Sequence, residues 1–172
     1  MSDSDRADGQ EFLLATGDLP PGVRAAAGLV AGSSLPAVVV WGAQRRLLVN
    51  QACLQLGIGN SPADEDGAAW RILEPVALEG FDAGLHGKAY SSPERQLLPE
   101  RLGLPAGLWC NLYCWPVVDG AGAAAAVLCV MIDVSQEVVR RQLLERVAED
   151  AQRRAGGFSL VYQNMEEVAY HL

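Results

Sequence analysis

The side chains best suited to chemistry in this chain are four cysteines, Cys53, Cys110, Cys114 and Cys129, and two histidines, His86 and His171. A cysteine beside a histidine base would make a nucleophile, and such a pair can meet in space when distant in sequence. The surroundings argue otherwise. Each cysteine sits in an apolar segment, which predicts a buried, inert thiol. Cys110-x-x-x-Cys114 falls on an expected strand, with no second ligand pair at metal-binding spacing. No Gly-x-Ser-x-Gly elbow, Cys-x-x-Cys, His-Glu-x-x-His or glycine-rich phosphate cradle occurs. No catalytic residue and no metal site is predicted, and a small cysteine-dependent enzyme is the lesser alternative.

The bulk properties restrict partners. The formal net charge is −8, and an acidic body repels nucleic-acid phosphates and anionic membranes. The arginine pairs Arg140-Arg141 and Arg153-Arg154 lie among Glu and Asp on one expected helix. The start, MSDSDRADGQ, is polar and acidic and has no secretion-signal pattern. The longest apolar run, residues 123–132, is about half of what a helix needs to cross a bilayer. These features predict a cytoplasmic chain with free thiols, no nucleic-acid partner and no membrane insertion.

Positioning elements follow from pattern and punctuation. Residues 1–19 read as a flexible tail. Residues 20–34, opened by Pro20-Pro21, read as an N-terminal helix with an apolar face. Residues 35–41 and 46–50 form a hairpin around a Gly-led turn, and 51–56 is a short helix closed by Gly57. Helices are expected at 70–73 and 75–86, then a short strand within 88–98 and a Gly- and Pro-rich turn over 100–108. Strong strands follow at 108–118 and 123–134, joined by the turn Asp119-Gly120-Ala121-Gly122. Ser135 is expected to cap a helix to about residue 155, broken by Gly156-Gly157. Residues 156–172 then read as the start of a following segment of a longer protein.

The order and spacing of these motifs resemble a PAS domain of bacterial multi-domain sensors of the histidine-kinase type. Trp41-Gly42, Val49-Asn50 and Leu56-Gly57 are similar to its opening strands and first helix. Residues 109–116 with Asp119-x-x-Gly122 resemble its aromatic strand and turn. Asp133-Val134-Ser135 resembles its closing motif, and residues 136–152 its connecting helix. The resemblance implies an α+β fold: a five-stranded antiparallel PAS-like sheet over residues 35–134, short helices on one face, an N-terminal cap helix and a C-terminal signalling helix. It also implies a non-catalytic sensory and dimerisation module that passes a signal to an output domain of the same polypeptide. No cofactor is predicted. Residues 60–90 lack the cysteine of flavin-binding relatives, and His86 sits at a helix end, where haem-binding relatives carry a mid-helix histidine. A haem- or flavin-binding redox sensor is the alternative.

By analogy with the family, Cys110, Leu112 and Cys114 point inward, with Val127, Cys129 and Met131 beside them. Trp41 and Trp70 stand nearby, and the wall suits a small apolar ligand oriented by Asn50. The alternative is a filled core without a ligand, with Asn50 satisfied by backbone. Trp109, Tyr113, Trp115, Leu128, Val130 and Ile132 then point outward, and the N-terminal helix and a second subunit are expected to cover them. The opposite assignment of the two faces is the alternative. Leu144 and Val147 lie at seam-like spacing on the exit helix, which fits a homodimeric coiled coil or packing on its own domain. Asp133, Val134 and Ser135 are expected to transfer the signal.

Overall fold

Three consecutive valines, Val38, Val39 and Val40, make β1 (Ala37–Trp41) a strand buried along its whole length. The computed structural model describes residues 19–64, 67–98 and 107–169, apart from the side chains of 98 and 155–169. The expected tail over 1–18, most of the turn over 100–108, and His171 lie outside the described residues. The chain divides into two units, residues 1–135 and 136–172.

In the first unit, α1 (Pro21–Ala31) precedes β1, which turns into β2 (Arg46–Val49). Two helices follow, α2 (Gln51–Gln55) and α3 (Ala68–Leu85). The remaining strands are β3 (Tyr90–Leu98), β4 (Leu108–Val118) and β5 (Ala124–Asp133). They form a five-stranded sheet in the order β2-β1-β5-β4-β3, with every neighbouring pair antiparallel. Pairing β1 with β5 brings the segments that flank the helical middle side by side. The expected PAS-like α+β arrangement is therefore the observed one.

The sheet is apolar on both faces. On the inner face, Val38, Val40, Leu47 and Val49 join Phe81, Leu112, Cys114, Val127 and Met131. On the outer face, Val23, Ala26, Ala27 and Val30 of α1 pack on Val39, Trp41, Leu48 and Ala126. β1, covered on both sides, needs no polar alternation, which explains its unbroken apolar run.

Two expected helix breaks do not occur. Residues 70–73 and 75–86 belong to one helix, α3, with Pro75 inside it. Proline there removes one backbone bond, and the apolar contacts of the buried face, Ala69, Leu73, Ala77 and Phe81, outweigh that loss. The helix α4 (Ser135–Ala169) starts at the last residue of the first unit, makes up the described part of the second, and continues through Gly156-Gly157. Each interior glycine costs about 1 kcal/mol relative to alanine, which weakens a long helix without ending it. Among the described residues no helix is long and apolar enough to cross a membrane.

Candidate functional site

The junction between sheet and exit helix is tied at one residue. Val134 N–H donates to the Trp109 carbonyl at 2.9 Å, and Trp109 N–H donates to Ser135 Oγ at 2.9 Å. Asp133 Oδ1 accepts from Ser135 N–H at 2.8 Å. Ser135 was expected to cap α4, but it is the first helical residue and its hydroxyl reaches across to β4. Asp133 instead satisfies the first helical N–H. All three predicted transfer residues therefore meet at the start of β4.

Asn50 is fully buried and acts as a hub. Its Oδ1 accepts from Ala37 N–H and Cys53 N–H, both at 3.1 Å. Its Nδ2 donates to the carbonyls of Val30 (3.2 Å), Ser33 (3.1 Å) and Leu35 (2.8 Å). One side chain thus caps α2 and fixes the link from α1 to β1. Both of its polar atoms are engaged by backbone, so Asn50 holds the scaffold and has no group left to orient a ligand. Asn111 likewise accepts from Glu94 N–H at 2.9 Å, where β3 bulges between Ser92 and Arg95.

Cys110, Leu112, Cys114, Cys129 and Met131 all lie in the inner cluster. The space over them is filled by α3. A Cβ added at Gly80 would stand 2.7 Å from Cys114 Sγ, and one at Gly84 would stand 2.6 Å from Val127 Cγ1. These glycines let the helix backbone lie directly on β4 and β5. The Cys114 thiol donates to Cys129 Sγ at 2.9 Å. That bond and burial push the Cys129 thiol well up, while burial pushes Cys53 and Cys110 up to about 12. At neutral pH these three are thiols without nucleophilic thiolate. His86 is an exposed residue at the end of α3, its Nδ1 2.7 Å from the Asp82 carbonyl, remote in character from the buried sulfurs. Among the described residues no group of three His, Cys, Asp or Glu side chains is placed to hold a metal ion.

On the outer face α1 reaches Leu128 and Val130, both partly buried. Trp109 and Tyr113 are half-buried, whereas Trp115 is 43% exposed and Ile132 39%. Tyr113 and Trp115 stack with ring centroids 6.0 Å apart. Leu144 and Val147 are exposed on α4.

Trp41 and Trp70 do not stand over the inner wall together. Trp41 belongs to the outer cluster, because residue alternation along β1 turns it away from Val38 and Val40. Trp70 packs at the margin of the inner cluster and stacks on Phe81 at 5.5 Å. The two meet instead as walls of a cleft of about 450 Å³ beside β2. Arg45, Arg46, Leu47 and Asp64 are among its other lining residues. Arg45 adopts a left-handed backbone (φ 51°) at the end of the turn. Its guanidinium lies 5.8 Å from the Trp70 ring centre and bonds Asp82 at 2.9 Å. Arg46 lies 5.2 Å from the Trp41 ring centre. Asp64 Oδ1 and Oδ2 accept from Ala69 and Trp70 N–H at 2.7 and 3.0 Å, fixing the far wall.

Sequence reasoning missed this cleft and the paired glycines. The Gly80-x-x-x-Gly84 spacing on an apolar helix face was an available signal. Arg45-Arg46 directly after a Gly-led turn was another, though the αL conformation that aims Arg45 is invisible without coordinates.

No protein-family model matches the chain, and no curated protein matches it. Solved structures do. An RNA-binding light-oxygen-voltage receptor is 22% identical over 78% of this chain, with a TM-score of 0.53, and the chain spans 40% of that receptor. A sensory box histidine kinase/response regulator from Burkholderia thailandensis E264 is 18% identical over 72% of this chain and 95% of its own, with a TM-score of 0.45. The PAS domain of BvgS from Bordetella pertussis is 17% identical over 70% of this chain and 92% of its own, with a TM-score of 0.41. At such identities the likeness concerns the fold, which is that of PAS and light-oxygen-voltage domains.

Proposed function

We propose that this chain of the PAS fold is a non-catalytic sensory and dimerisation module. In this reading it works in the cytoplasm and passes its state through Asp133-Val134-Ser135 and α4 to an output domain of the same polypeptide. The observation that carries the proposal is the bond from Trp109 N–H to Ser135 Oγ. It couples the start of β4 to the first residue of the exit helix, so a shift of the sheet is felt at the helix start. The raised thiol pKa values support the non-catalytic part. The half-exposed Trp115 and Ile132, with Leu144 and Val147 on α4, support self-association.

Flavin binding of the light-oxygen-voltage kind fits these residues poorly. Gly80 and Gly84 press α3 onto Cys114 and Val127, leaving no layer for a planar ring between helix and sheet. RNA binding is disfavoured by the net charge of −8. The proposal is tested by native mass spectrometry of the purified chain. A homodimer is expected, and a monomer at every concentration would remove the dimerisation role.

A further inference from the structure

The cleft beside β2 has the chemistry of a ligand site. β2 is an edge strand, and Val49 N–H donates outward to the Pro62 carbonyl at 2.9 Å. Alternation along the strand turns the Leu47 amide the same way, into the cleft that Leu47 lines. Beside it, Arg46 lies over Trp41 and has no carboxylate partner among the described residues. Arg45 is already matched by Asp82, and both oxygens of Asp64 are held by backbone N–H groups. Among the described residues the cleft thus offers one guanidinium outside any ion pair and one outward backbone amide, with the Asp64 carboxylate held by the start of α3, in a chain of net charge −8. Trp41 and Trp70 both line it, with Arg46 over the first ring and Arg45 over the second, and its volume of about 450 Å³ suits a small organic molecule.

We propose that this cleft binds a small planar aromatic carboxylate, the carboxylate held by Arg46 and the Leu47 N–H and the ring flanked by Trp41 and Trp70. A single unmatched guanidinium suits a singly charged, planar anion better than a doubly charged phosphate. The indole walls add the preference for an aromatic body. This deepens the sensory reading by naming a ligand class. The experiment below reads binding alone, so it and the helix-coupling reading fail separately.

The test is calorimetric titration of the purified chain with 2-naphthoate, its neutral isostere 2-naphthamide, and inorganic phosphate. The indole N–H signals of 15N-labelled tryptophan are followed alongside. Saturable naphthoate binding is expected, with the amide and phosphate at least about tenfold weaker. Arg46→Gln weakens naphthoate by about tenfold or more, while Arg140→Gln on the exit helix leaves it unchanged. The signals of Trp41 and Trp70 move and those of Trp109 and Trp115 do not. Arg46 is exposed, so Arg46→Gln keeps the wild-type melting profile and reports on the site alone. Failure of naphthoate to saturate, equal binding of the amide, tighter binding of phosphate, an unaffected Arg46→Gln variant, or shifts at Trp109 and Trp115 instead would each overturn the proposal.

Discussion

Trp109 and Ser135 stand 26 residues apart in sequence and share a hydrogen bond of 2.9 Å from the Trp109 N–H to the Ser135 hydroxyl. The Trp109 carbonyl also accepts from Val134 N–H at 2.9 Å. Neither contact involves a side chain of the apolar core, so the pair joins the sheet to the exit helix without adding to hydrophobic stability. Ser135→Ala removes only the hydroxyl. We expect a loss of about 1 kcal/mol and faster amide exchange at Trp109 and the first turn of α4, with the inner core unchanged. Hydrogen-exchange mass spectrometry checks this, and uniform exchange along the chain would argue against a local tie.

Asn50→Ala should be among the most damaging single substitutions. It strips the cap from α2 and leaves the buried N–H of Ala37 without its acceptor, while the Val30 and Leu35 carbonyls keep bonds from Ser33. Urea unfolding should show a loss of about 3 kcal/mol or more. Asn50→Asp keeps the two accepted bonds and loses the donated ones, so it should also destabilise the chain.

Gly84→Ala sets helix propensity against packing. Alanine gains about 1 kcal/mol in a helix, but its Cβ would meet both methyl groups of Val127 at 2.6 Å. Overpacking of that kind costs about 1–3 kcal/mol, so we expect net destabilisation. Val127→Ala in the Gly84→Ala background should restore part of the loss. Additive effects in the double-mutant cycle would show that the two residues do not touch.

Burial pushes the Cys53 and Cys110 thiols up to about 12 from an ordinary 9.0. The unfolded chain therefore releases these protons at lower pH than the folded chain. Below pH 9 both states are protonated and the thiols leave stability flat. Between pH 9 and 12 they favour unfolding by about 1.4 kcal/mol per pH unit each. Cys110→Ala should flatten the alkaline decline of the denaturation midpoint. At pH 8 all four thiols should react slowly with Ellman's reagent until denaturant is added.

The sheet was legible because its signals are local. Residues 108–118 and 124–133 are apolar runs punctuated by Asp119 and Gly122, and the Asp119 carboxylate does hold that turn, accepting from the Ala121 and Ala123 N–H groups. The fold class followed from the order of such segments. The site was less legible. Trp41 lies next to a turn residue, and which face it takes depends on alternation that the whole strand must satisfy. Asn50 read as a ligand-orienting group or as a residue satisfied by backbone, and three of the partners that decide it lie 15 to 20 residues upstream. The cleft joins a hairpin to a loop and a helix start, and no local pattern records that meeting. Pro75 and Gly156-Gly157 misled for a related reason: local propensity cannot weigh the rest of a long helix against one weak position.

The central proposal is that two copies of this chain pair through their exit helices and that the tie between Trp109 and Ser135 governs the geometry of that pair. The direct measurement is electron–electron distance spectroscopy with one spin label per protomer at Arg146→Cys, an exposed site on α4; the buried native thiols stay unlabelled. A narrow intermolecular distance is predicted for the otherwise native chain, displaced or broadened when Ser135→Ala is added. A chain that gives no intermolecular distance, or one that Ser135→Ala leaves unmoved, would contradict the account.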